Sequence, residues 1–110
     1  MSEKEWDIRA VYRSAIKTKL TRFELARVIG VRALQLAMGA PPLIDVNNIS
    51  VKDPIYIAIV ELLNSRLPMS ILRPVEGGRY ELISVDKLIT PEIRRYLNSV
   101  LESWDISRRV

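Results

Sequence analysis

With neither cysteine nor histidine among 110 residues, the chain has no disulfide, no thiolate or imidazole nucleophile, and almost none of the ligands zinc requires. The hydrophobic share of 48% argues against wholesale disorder, but aromatics are only 6%, so a core must rest on Leu, Ile, Val and Ala. The net charge of +4, with its excess in the first forty residues, permits nucleic-acid contact without requiring it.

Residues 3–17 read as an amphipathic helix, with Ile8, Val11, Tyr12, Ala15 and Ile16 at the spacing of one face. Glu3, Glu5 and Asp7 lie early and Arg13, Lys17 and Lys19 late, which complements the helix dipole. Two uses are open to it: packing on the domain's own core, or docking to a partner as an arm.

The stretch from Thr21 to Gly39 is the longest helix with a written start and stop. Thr21 and Glu24 stand at capping-box spacing, and Gly39 followed by Pro41 and Pro42 ends the run. Leu25, Ala26, Ile29, Ala33, Leu36 and Ala37 share one face, while Phe23, Val31, Leu34 and Met38 cover much of the rest. A helix apolar nearly all round is normally buried from several directions. Arg22, Arg27 and Arg32 are five apart and splay to different sides. An ordered loop is expected over residues 43–52, with Leu43, Ile44, Val46 and Ile49 tucked against this helix and a turn at Asn47-Asn48.

Asp53-Pro54 opens a second helix, with Asp as cap and Pro at the first helical position. Its expected core face is Ile55, Ala58, Ile59, Leu62 and Leu63, and it ends by Arg66, before Pro68. Residues 69–73 and 80–84 read as two strands of a hairpin joined through Gly77-Gly78. A lone hairpin is marginal in water, so helices must cover it or a foreign strand must extend it. Val85 to Ile89 closes the unit as a short turn or helix. Thr90-Pro91-Glu92 then starts a third helix with Ile93, Leu97, Val100, Leu101 and Trp104 as its stripe, and the tail from Arg108 is expected to fray. The pattern predicts an α+β fold: a core domain over residues 21–90, a helical extension over 1–20 and an amphipathic helix with tail over 91–110.

No catalytic constellation is visible. General-base and nucleophilic chemistry near neutral pH usually recruits His or Cys. Asp45, Asp53, Glu61, Glu76, Glu81 and Asp86 are scattered, each with a capping, turn or surface explanation. Neither phosphate-cradling glycine pattern is present. No catalytic residue, cofactor, metal or small-molecule substrate is expected. A helix-turn-helix reader fits poorly, because the connection between the first two capped helices far exceeds a three-to-four-residue turn. No apolar run approaches the roughly 20 residues of a membrane span, and without a signal peptide a cytoplasmic location is the default.

The run from Thr21 through Arg22, Phe23, Glu24, Ala26, Arg27, Gly30, Arg32, Gln35 and Leu36 to Gly39-Ala40-Pro41 strongly resembles the omega-like small subunit of cellular RNA polymerases. It is most similar to the archaeal form, subunit K, which corresponds to the small common subunit of the eukaryotic nuclear enzymes. Weaker matches continue in order through Asp53-Pro54, Leu67-Pro68, Ile71-Leu72-Arg73 and Gly77-Gly78 to Ile89. The resemblance implies a non-catalytic subunit that clamps the carboxyl-terminal region of the largest subunit, itself commonly split into two chains in archaea, and reaches DNA only through the assembly. By position it carries Thr21, Arg22, Phe23, Glu24, Arg27, Arg32 and Gln35 as the partner-binding signature. Phe23 stands where Tyr is common, so a hydroxyl is lost there. Nothing in the resemblance accounts for the helix after Pro91. The alternative from a different class is a small basic nucleic-acid-binding protein acting alone.

Overall fold

The computed structural model describes residues 20–109, with side chains from Leu20 to Asp105. The helix expected over residues 3–17, and with it most of the 1–20 extension, lies outside the described residues.

Helix α1 spans Arg22–Ala37. Its start is a complete capping box. Thr21 Oγ1 accepts from the Glu24 N–H at 3.1 Å, and Glu24 Oε1 accepts from the Thr21 N–H at 2.9 Å. Leu20, just outside the cap, and Leu25, one turn in, are both buried in the core, which fixes the angle at which the chain enters the helix. At the other end, the Gly39 N–H bonds to the Leu36 carbonyl and the Ala40 N–H to the Gln35 carbonyl. Gly39 takes φ +103°, the left-handed turn that a glycine stop allows.

The face that α1 turns inward differs from the expected one. Ala26 and Ala37 are exposed, whereas Val28 and Arg32 are buried beside Leu25 and Ala33. Exchanging two alanines for a valine buries more apolar area, and Arg32 comes in with it because a carboxylate waits for it there.

The loop after α1 carries a 3-10 turn over Val46–Asn48, at the expected position. Ile44, Val46 and Ile49 are half-buried as expected, but Leu43 is 43% exposed, and the fully buried residue of the loop is Val51. Helix α2 spans Pro54–Leu63, capped by Asp53, whose Oδ1 accepts from the Ile55 N–H at 2.8 Å. It stops at Leu63, short of Arg66, because the chain turns through Ser65 at φ +53°. Ile55, expected inside, is 46% exposed, while Tyr56 and Ile57 are buried. This helix has neighbours on more than one side, so no single stripe describes its interior face.

Strands β1 (Ser70–Pro74) and β2 (Tyr80–Ser84) pair antiparallel with Leu72 opposite Leu82 and Arg73 opposite Glu81. Their turn uses Gly77 at φ +81° and Gly78 at φ +72°, backbone that L side chains rarely adopt. Ile71 and Ile83 face the helical core, and Leu72, Tyr80 and Leu82 face outward, the alternation that a half-covered sheet requires. A 3-10 turn over Val85–Leu88 follows, and its Val85 and Leu88 are buried.

Helix α3 spans Pro91–Arg109, so its backbone stays helical where fraying was expected. Leu97 is 1% exposed in the core, flanked by Ile93, Val100, Leu101 and Trp104, the five residues of the expected stripe. Trp104 meets Tyr56 of α2 edge-to-face with ring centroids 5.8 Å apart, and Arg94 donates to the Leu63 carbonyl at 2.7 Å. Among the described residues the architecture is α+β: three α-helices and one antiparallel hairpin around a core built on Leu, Ile and Val.

Candidate functional site

Among the described residues no helix is long and apolar enough to cross a membrane, and no group of three or more Asp or Glu is placed to hold a metal. The candidate site is a surface on α1, where Phe23, Val31, Leu34 and Met38 are exposed.

Two ion pairs fix α1 from behind. Arg32 and Glu61 form a bidentate pair, with Nε to Oε1 at 2.6 Å and Nη2 to Oε2 at 3.0 Å. Their side chains are 8% and 0% exposed. A buried carboxylate survives only if its lone pairs are used, and here they are. Glu61 Oε2 also accepts from the Leu43 N–H at 2.7 Å. Two further donors of Arg32 go to Gln35 Oε1 and the Pro41 carbonyl, each at 3.1 Å. The hydrogen bonds to Glu61 hold the Arg32 guanidinium above its ordinary pKa, outweighing the opposing effect of burial. The pair thus locks α1 to α2 and ties the 41–43 loop to both.

The surface explanation expected for Glu61 is overturned. It is the only charge in the ten residues of α2, and it lies at the centre of the fold. One sequence signal pointed to it: a single acid in an otherwise apolar helix needs an internal cation, and Arg32 is seven residues after Leu25, on the core side of α1.

The second pair joins α1 to the hairpin. Arg73 of β1, 6% exposed, donates through Nε and Nη2 to the two oxygens of Glu24 at 3.0 and 2.6 Å. Glu24 therefore closes the capping box and anchors β1 with one carboxylate. Its pKa is lowered chiefly by the hydrogen bonds from Arg73, against a smaller opposing effect of desolvation.

The seven sequence-predicted residues separate into two sets. Thr21, Glu24, Arg32 and Gln35 are engaged within the chain, as cap, anchor, buried cation and its acceptor. Arg22, Phe23 and Arg27 are exposed. Phe23 and Arg27 begin a continuous stripe at four- and three-residue spacing that passes through Val31 and Leu34 to Met38. Phe23 is 73% exposed, Leu34 61% and Met38 79%. Large apolar side chains exposed in a row, rather than scattered, mark an interaction surface. The apolar members after Phe23 follow from helical spacing alone, once the core face is known.

This helix lies within the segment that comparison identifies. Residues 14–69 match the family described as RNA polymerase Rpb6. The chain belongs to the RNA polymerase Rpb6 family. It is 47% identical over 81 residues to the DNA-directed RNA polymerase subunit Rpo6 of Sulfurisphaera tokodaii, covering 74% of this chain and 94% of that one. It is 53% identical over 77 residues to the subunit Rpo6 of Saccharolobus islandicus, covering 70% and 81%. Against the subunit Rpo6 of Pyrobaculum aerophilum it is 43% identical over 74 residues, 67% of this chain and 70% of that one. All three are archaeal, in keeping with the resemblance to the archaeal form. The family match ends at Met69, before the hairpin, but the 81-residue match to the Sulfurisphaera tokodaii subunit is too long to end there and runs on into the hairpin, toward the Ile89 to which the resemblance was expected to reach.

Proposed function

We propose that this Rpb6-family chain is a non-catalytic subunit of a DNA-directed RNA polymerase that clamps the carboxyl-terminal region of the largest subunit, whether that subunit is one chain or two, and promotes its assembly in the cytoplasm. The observation that carries this reading is the exposed stripe Phe23, Arg27, Val31, Leu34 and Met38 on the helix that bears the family signature. Phe23, Leu34 and Met38 supply apolar anchors, and Arg27 among them supplies a charge-assisted donor for a partner carboxylate or carbonyl. Arg22 flanks the stripe. Thr21, Glu24, Arg32 and Gln35 act from behind it, holding α1 straight and in place without touching the partner. An obligate interface of roughly 2,000 Å² or more would stabilise the assembly strongly at about 25 cal/mol per Å², less the costs of association.

The burial of Arg32 weighs against a free-standing nucleic-acid binder, because it removes one of the three arginines of α1 from any phosphate-facing surface. The test is capture of the largest subunit's carboxyl-terminal fragment by the purified chain. Phe23→Ala with Leu34→Asp is expected to abolish capture while the variant keeps its helical circular dichroism. Recovery of the chain from its source cells only as a free monomer, with no polymerase subunit attached, would overturn the proposal.

A further inference from the structure

Helices cover one face of the hairpin and leave the other bare. Ile71 and Ile83 lie against the core, while Leu72 is 61%, Tyr80 66% and Leu82 70% exposed. Leu72 stands opposite Leu82 and Pro74 opposite Tyr80, so the bare face carries two apolar cross-strand pairs side by side. Among the described residues no third strand joins the sheet.

The two edges of the hairpin are not alike. At the ends of the ladder the Val85 N–H donates to the Met69 carbonyl and the Val75 N–H to the Arg79 carbonyl, both at 2.9 Å. In an antiparallel pair, bonded and non-bonded residue pairs alternate. The register therefore makes Ile71–Ile83 and Arg73–Glu81 bonded pairs, and Leu72–Leu82 and Pro74–Tyr80 non-bonded ones. The backbone groups of a non-bonded pair point outward, to the edges. On the β1 edge Pro74 offers a carbonyl but no N–H, and proline blunts an edge against pairing. On the β2 edge Tyr80 and Leu82 each offer both groups, and neither has a further backbone partner among the described residues. No proline, lysine or bulge guards β2, and an edge of that kind is a template for another strand.

The side chains along β2 describe the strand that fits it. Tyr80 and Leu82 present apolar surface on the bare face. Between them Glu81 points to the other face and is exposed, and the cation opposite it, Arg73, is engaged by Glu24. An added strand thus meets apolar groups at alternate positions and a carboxylate between them. A second copy of β2 fits poorly. Two-fold registers centred on Leu82 or on Glu81 set two Glu81 carboxylates diagonally or directly opposite, where like charges repel.

We propose that β2 is extended along Tyr80–Ser84 by an antiparallel strand from another protein, one that alternates apolar side chains with a basic residue opposite Glu81. Its backbone bonds to Tyr80 and Leu82, and its apolar side chains continue the bare face beside Leu82. This contact is on the hairpin and does not depend on the role of the α1 stripe.

A heptapeptide of alternating valine and lysine, capped at both ends, probes the edge of the isotope-labelled full chain by NMR. With peptide at about twice its dissociation constant, amide hydrogen exchange at Tyr80 and Leu82 is expected to slow about threefold, while Ile71 and Ile83, already in the ladder, change little. N-methylation of the valines, whose N–H groups face β2, is expected to abolish binding, and N-methylation of the lysines to leave it intact. Glutamate in place of the lysines should weaken binding about fivefold, and Glu81→Gln should remove most of that difference. Absence of binding at millimolar peptide would overturn the proposal. So would equal binding of the valine-methylated peptide, which would mean apolar adhesion without strand pairing. Protection of Leu72 in place of Leu82 would move the added strand to β1 and sink the choice of edge. Protection of Tyr80 and Leu82 that rises with protein concentration in the absence of peptide would assign the edge to a second copy and overturn the proposal likewise.

Discussion

Helices α1 and α2 are both rich in apolar residues, and they meet the solvent differently. In α2, six of ten residues are buried, while in α1 only four of sixteen are. The sequence reading set α1 against its own fold on one side and against a partner on the others. In the structure α2 is the more enclosed helix, lying among α1, the loop before it and α3, while α1 is covered along one side. Apolar content alone does not locate the interior of a small domain. What distinguishes the two is the fate of their charged residues. The one charge of α2 is driven inward and neutralised by Arg32, whereas Arg22 and Arg27 of α1 stay among exposed apolar groups. Apolar residues interleaved with free cations belong to a surface.

This contrast can be tested by substitutions graded by expected effect. The largest should come from the pair joining the two helices. Glu61→Ala leaves Arg32 buried without its counter-charge and is expected to cost about 3–5 kcal/mol in urea unfolding. Replacing both partners together, Arg32→Met with Glu61→Leu, should cost much less. If the double variant were as unstable as the single one, the pair would not be the link between α1 and α2.

Next comes Leu62→Ala, at a fully buried site of α2, expected to lower stability by about 2–5 kcal/mol. Thr21→Ala should cost about 0.5–2 kcal/mol by removing half of the capping box. Acid should loosen α1 before neutral conditions do. Because the folded pKa of Glu24 lies below its unfolded value of 4.5, its contribution is fully present above that value and is lost as pH falls through the folded one. Glu24→Gln should flatten this acid limb of the stability curve. An unchanged limb would assign acid sensitivity to other carboxylates.

The smallest effect on folding is expected on the exposed stripe. Leu34→Ala should change the stability of the free chain by no more than about 0.5 kcal/mol yet weaken capture of the large-subunit fragment. A large loss of stability there would show that the stripe belongs to the fold and would undo the contrast between the helices.

Most element boundaries could be read from local chemistry, because caps, prolines and glycines act over three or four residues. Thr21 with Glu24, Gly39, Asp53-Pro54, Gly77-Gly78 and Thr90-Pro91 each sit at the predicted position. Side-chain assignment was less legible. The rotation of α1 that hides Val28 and Arg32, and the burial of Tyr56 rather than Ile55, depend on what packs from the far side. Glu61 and Arg73 find partners 29 and 49 residues away, and no periodicity encodes such distances. Of the site, Phe23 and Arg27 were found through the family signature. Val31, Leu34 and Met38 belonged to the excess apolar surface that the sequence assigned to a partner, but picking them out as one stripe needed the core to be located first.

The carboxylate of Glu24 serves two masters, and the second, Arg73, is made 49 residues later. At the ~5–20 residues per second of protein synthesis, several seconds separate the appearance of the acid on the ribosome from that of the base. Until then α1 has its threonine cap but no anchor to β1. The helix that would present the stripe is thus fastened late, once the hairpin has emerged. Order of synthesis itself would then delay the presentation of a finished surface until nearly the whole domain exists to support it.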